Sequence, residues 1–143
     1  MSKRNECFNN LVDTISALPT RKIGKVSIKP IDFAKLGRQS FPVIQVSVNR
    51  EDREDITMQH KLCTMYVDVT AYVKGESKSV NTNKQVNDIL ELVEEALEVD
   101  RTRGKSALIT ELREVQEIDE SAFPIVSQTQ TYVIQYYHDR GNS

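Results

Sequence analysis

Near the N-terminus, Phe8, Leu11, Val12, Ile15 and Leu18 form one apolar stripe at helical spacing. This predicts an amphipathic helix over 5–18. Pro19 marks its end, because the residue before a proline disfavours the α region. A second stripe of Val86, Ile89, Leu90, Val93, Ala96 and Leu97 predicts a helix over 82–99, with Asn81 or Thr82 as N-cap. Its other face carries Glu91, Glu94, Glu95 and Glu98, gathered toward the C-terminal half. That is the unfavourable end of the helix dipole for carboxylates, so a basic partner there is stabilising.

Elsewhere the pattern changes to period two. Along 62–73, Cys63, Met65, Val67, Val69, Ala71 and Val73 alternate with Thr64, Tyr66, Asp68, Thr70 and Tyr72, and Lys74, Gly75, Glu76 and Ser77 supply turn chemistry after them. Along 124–137, Val126, Gln128, Gln130, Tyr132, Ile134 and Tyr136 alternate with a second set rich in Thr. Both segments predict strands. The dense β-branched run 41–48 predicts a strand covered at least partly on both faces. Val26 and Ile28 suggest a short strand inside 20–40, with a loop around Pro30 and Gly37. Arg50, Glu51, Asp52, Arg53, Glu54 and Asp55 follow the 41–48 strand with no apolar residue among them. They are expected to form an exposed loop and are the candidate contact with a neighbouring chain, a solvated turn being the plainer reading. Segment 106–119 has helical spacing in Leu108, Leu112, Val115 and Ile118 but also fits a strand with a bulge. The polar residues from His138 to Ser143 read as a tail. Helix, strands, helix, strands is the order of a single-domain α+β protein, an antiparallel or mixed sheet with flanking helices.

Length and composition support this class. A chain of 143 residues with 38% hydrophobic and 28% charged residues buries a core without disulfides or metals. The absence of Trp and the low aromatic content argue against a stacking platform for bases. The net charge is −2, yet residues 1–40 hold eight basic and three acidic side chains while the remainder is acidic. Such asymmetry suits head-to-tail contact between copies, or a basic surface facing DNA or an acidic partner. No apolar run approaches the roughly 20 residues that span a bilayer, and the N-terminus has no signal-peptide core.

Chemical motifs are sparse. There is no Gly-rich phosphate loop, nucleophile elbow or paired-His metal motif. Cys7 and Cys63 sit in or beside apolar stripes, as buried free thiols do. With His60 and His138 they do not have the spacing of a four-ligand zinc cluster, and each histidine reads as a surface residue. Asp68 shares its strand face with threonines and tyrosines, which places it at solvent or an interface. Glu94, Glu95, Glu98 and Asp100 are a candidate divalent-cation cluster whose ordinary reading is a solvated acidic face. No catalytic residue, cofactor site or metal site is assigned.

The stretch Phe41-Pro42-Val43-Ile44-Gln45-Val46, followed by the charged residues Arg50 to Asp55, resembles the tail terminator family of long-tailed bacteriophages, also called tail completion or minor tail proteins. Three further features are similar: a strand leading through a turn into an amphipathic helix, from Leu62 to Leu97; the spacing of Asp100, Gly104 and Ala107; and a closing Tyr-rich strand that includes Tyr132 to Tyr137. The resemblance covers roughly residues 5–138; the basic stretch from Thr20 to Arg38 has no counterpart in it. It implies a sheet flanked by helices, with 106–119 as a strand. It also implies a homo-oligomeric ring of six copies at the head-proximal end of the tail tube. Such a ring ends tube polymerisation, meets the tail tube protein and the head connector, and passes DNA through its lumen without reading sequence. No enzymatic activity, cofactor or membrane contact is implied. The protein is expected in the virion neck, after assembly in the host cytoplasm. A head–tail stopper, a tube subunit, or a small nucleic-acid-binding regulator using the basic first third are the alternatives.

Overall fold

The computed structural model describes residues 3–18, 25–28, 42–56, 60–74, 80–103, 107–119 and 125–139. Within them the order is α1 (Lys3–Ser16), β1 (Lys25–Ser27), β2 (Val43–Asp55), β3 (His60–Lys74), α2 (Val80–Val99), β4 (Ile109–Val115) and β5 (Ile125–Asp139). The strands form one five-stranded sheet in the order β1-β2-β3-β5-β4. β1 runs parallel to β2, and all other neighbours are antiparallel. The protein is a single compact α+β domain with a mixed sheet.

Both helices form where the apolar stripes predict them. Cys7, Leu11 and Ile15 of α1 are fully buried, as are Val86 and Val93 of α2, and Ile89, Leu90 and Leu97 are nearly so. α1 tightens at its end through Ala17 N–H to Asp13 O (3.0 Å) and Leu18 N–H to Ile15 O (3.1 Å), just before Pro19 in the sequence. α2 starts at Val80, so Asn81 and Thr82 lie in its first turn and not ahead of it as a cap. The helices contact each other and pack on the same side of the sheet. Their stripes join Cys63, Met65, Val67, Val69, Ala71 and Val73 of β3 and Tyr132, Ile134 and Tyr136 of β5 in one apolar cluster. Period two places Thr64, Tyr66, Asp68, Thr70 and Tyr72 on the opposite, open face, where they are half-buried. Hydroxyls tie that face together: Thr70 Oγ1 and Thr129 Oγ1 lie 2.9 Å apart, and Tyr72 Oη donates to Gln45 Oε1 at 3.3 Å. Val43 and Ile44 point to opposite faces and are both fully buried, as the β-branched run predicts.

Two further sequence expectations are corrected. Residues 49–55 are not a loop: they continue β2, pairing with β3 as far as Asp55 with Lys61. β3 is 15 residues long and its backbone groups need a partner on that side. Among the described residues only the short β1 pairs with the outer edge of this partner strand, and charge is the usual content of such an edge. His138 and Asp139 belong to β5, not to a tail, because Lys61 and His60 pair with them. Segment 106–119 contains, as the strand-with-a-bulge reading and the resemblance both expect, the strand β4 with a bulge between Leu112 and Glu114, followed by an isolated bridge from Asp119 to Ser127. Its apparent helical stripe is not a buried face: Leu108 is 47% exposed and Val115 52%. The turn after Lys74, the loop around Pro30 and Gly37, Gly104, and the chain beyond Asp139 lie outside the described residues.

Candidate subunit interface

A single extra residue organises the charged end of β2. The register with β3 shifts between Val48, opposite Val67, and Arg50, opposite Tyr66. Asn49 is the bulged residue, and its Nδ2 donates to Asp68 Oδ2 at 3.2 Å. Without the bulge Arg50 would follow Val48 onto the helix side. With it, Arg50, Asp52 and Glu54 share the open face with Tyr66, Thr64 and Leu62, while Glu51 and Arg53 lie beside Met65 and Cys63 on the helix side.

The two sets do different work. On the helix side the Glu51 side chain is only 9% exposed. Tyr136 Oη donates to Glu51 Oε1, Arg53 Nε donates to Oε2 at 2.9 Å, and Arg4 Nε of α1 stands 3.6 Å from Oε1. Glu51 is thus committed within the chain, locking β2 to β5 and to the start of α1. On the open face the Arg50 guanidinium lies 4.3 Å from the centroid of the Tyr66 ring and 3.9 Å from Asp52 Oδ2. A cation over an aromatic face at an exposed site contributes about 0.5–1 kcal/mol. Arg50 and Asp52 side chains remain 63% and 62% exposed. Lys61 Nζ stands 3.9 Å from Asp55 Oδ1 near the hairpin end. Of the six candidate contact residues, Arg50, Asp52, Arg53, Glu54 and Asp55 are exposed, and Glu51 is not.

The other candidates resolve as follows. Cys7 and Cys63 are buried free thiols, and burial pushes the Cys63 thiol up from its ordinary pKa. Asp68 is half-buried on the open face, where it accepts from Thr131 Oγ1 at 2.7 Å as well as from Asn49. The side chains of His60 and His138 lie outside the described residues. Glu95, Glu98 and Asp100 are exposed. Glu94 is half-buried, and burial followed by the neighbouring Glu98, Glu91 and Glu95 raises its pKa. Asp100 Oδ1 accepts from the backbone N–H (2.9 Å) and Oγ1 (2.6 Å) of Thr102, shaping the turn after α2. Among the described residues no group of three or more His, Cys, Asp or Glu is arranged to hold a metal, and no helix is long and apolar enough to cross a membrane.

Two buried tyrosines predict an alkaline limit on stability. Burial raises the phenol of Tyr132, aided by Glu94 and Glu98. Burial and the hydrogen bond to Glu51 raise that of Tyr136. In the unfolded chain both titrate near pH 10. Below that value both states are protonated and the stability is complete. Above it the unfolded state loses protons that the folded state keeps, so stability falls with rising pH. Urea midpoints measured between about pH 9 and 11.5 should fall less steeply for Tyr136→Phe than for the unsubstituted chain. Equal slopes would show that Tyr136 ionises as freely folded as unfolded.

No protein-family model matches the chain, and no curated protein matches it either.

Proposed function

We propose that this chain is a structural subunit that closes, in six copies, into a ring on the head-proximal end of a bacteriophage tail tube. The ring ends tube polymerisation and presents a surface to the head connector, with DNA passing through its lumen unread. The protein then resides in the virion neck. The observation that carries this reading is the charged edge of β2, with which, among the described residues, no strand pairs beyond β1, and which is lined by Arg50, Asp52, Arg53 and Glu54. It gives the domain a surface unlike its helical side and unlike its hydroxyl-rich open face. A tube of identical subunits always offers another binding surface at its growing end, and stopping it takes a component that completes those contacts without repeating them. Subunits with unlike surfaces build heterologous contacts, which close into a ring when the rotation permits. The resemblance along 5–138 supplies the setting, and no residue is assigned a catalytic role.

Phage carrying an amber mutation in this gene are expected to make filled heads together with overlong or unjoined tails. Electron microscopy of such lysates is the measurement. Tails of normal length already attached to heads would remove the terminator role and favour another neck or tail component.

A further inference from the structure

We propose that two copies of this chain pair in solution along the outer edge of β2, antiparallel and centred on Asp52, as an isologous dimer. β1 covers only Val43, Ile44 and Gln45, and among the described residues no strand pairs with the outer side of β2 from Val46 to Glu54. Such an edge is a row of backbone donors and acceptors that accepts another strand. Charged edges repel most strands, so the one that pairs must carry complementary charge at matching positions.

The faces and the charges together select one register. A two-fold axis normal to the sheet keeps both helical layers on one side and pairs side chains of like face. Arg50, Asp52 and Glu54 lie on the open face, Glu51 and Arg53 on the helix side. Centred on Asp52, the pairing sets Arg50 against the partner's Glu54, a contact that occurs twice by symmetry, and leaves Glu51, held within its own chain by Tyr136 and Arg53, opposite the partner's Arg53 without like-charge conflict. Directly opposite charges on one face stabilise a strand pair. The one like pair, Asp52 with the partner's Asp52, is flanked on each chain by Arg50, 3.9 Å from its own Asp52. Centred on Glu51, the two nearly buried Glu51 carboxylates would confront each other. Centred on Arg53, Asp52 would oppose Glu54 and Glu51 would oppose Asp55. β1 pairs with Val43 to Gln45, past Asn49, which this register sets opposite the partner's Asp55 at the end of its β2.

This dimer goes beyond the ring reading and does not rest on it. An edge closed in a two-fold pair is withheld from any other neighbour, so a ring using the same edge would exchange one contact for the other. The pair is read on purified protein and the ring on tails in lysates, so the two fail separately.

Light scattering and sedimentation equilibrium of the full chain at low salt should show a monomer–dimer equilibrium that weakens as salt rises. Arg50→Glu, which sets a carboxylate against the partner's Glu54, should weaken the dimer by about tenfold or more. Arg50→Glu combined with Glu54→Arg should restore it, and Asp52→Asn, which removes the like pair, should tighten it. Circular dichroism confirms the fold of each variant. A chain that stays monomeric at every concentration in low salt overturns the proposal. So does a folded double swap that fails to restore association, or a dimer unaffected by Arg50→Glu.

Discussion

Arg103→Ala is expected to lower stability by about 2–4 kcal/mol, the range for stranding several buried acceptors at once. Arg103 is 1% exposed. Its Nη2 donates to the backbone oxygens of Leu97 and Asp100, and its Nη1 to Asn10 Oδ1 of α1 at 3.4 Å. The carbonyls at the end of a helix have no partner within it and carry the negative end of its dipole. α2 has no basic residue in its last turn. Arg103 thus supplies from beyond the helix the positive charge that the glutamates of α2 call for, and it ties α2 to α1. The arrangement has costs. Burial depresses the guanidinium pKa, Nε finds no partner among the described residues, and the backbone is held at φ 49°, a conformation that disfavours residues with a Cβ. Alanine keeps the backbone cost and loses every hydrogen bond. Arg103→Gly should therefore be less damaging than Arg103→Ala by about 1 kcal/mol. Arg103→Lys should recover only part of the loss, since one ammonium does not span acceptors on two helices. Urea midpoints followed by circular dichroism check the series, and a midpoint unchanged in Arg103→Ala would show that water satisfies those carbonyls equally well.

Leu90→Ala should cost about 2–5 kcal/mol, the span observed for truncating a buried leucine. Leu90 is 1% exposed and belongs to the cluster between α2 and the sheet. Truncation removes its transfer energy and leaves a cavity that the surrounding strands fill only in part. For a domain of this size the melting temperature should fall by about 5–15 °C. The neighbouring Glu91 is exposed, and the hydrogen bond it accepts from Asn87 Nδ2 at 3.2 Å lies at the surface. Glu91→Ala is expected within about 0.5 kcal/mol of the parent. Similar melts for the two variants would show that the stripe does not carry the packing.

The candidate interface was half legible. Arg50 to Asp55 stand out in the sequence as a charged run, and five of the six are exposed. The separation of Glu51 from its exposed neighbours was not legible, because it depends on the bulge at Asn49 and on Tyr136, which is 85 positions away in the chain. Arg103 left no signal either. An arginine two residues after an exposed arginine looks like surface until the end of α2 is brought against the middle of α1.

By itself the sequence determined those elements whose period repeats often enough to single out one face. α1, α2, β3 and β5 each carry such a stripe, and burying it dictates both the element and its inward side. Tertiary structure alone decided where periodicity is silent or ambiguous. A run without apolar residues became the second half of β2 because β3 already presented unpaired backbone groups there. A segment with helical spacing became β4 because β5 offered it a partner edge. Strand order, the one-residue bulge and the charge beneath the end of α2 all arise from contacts between residues distant in sequence, and no local pattern encodes which distant groups will need a partner.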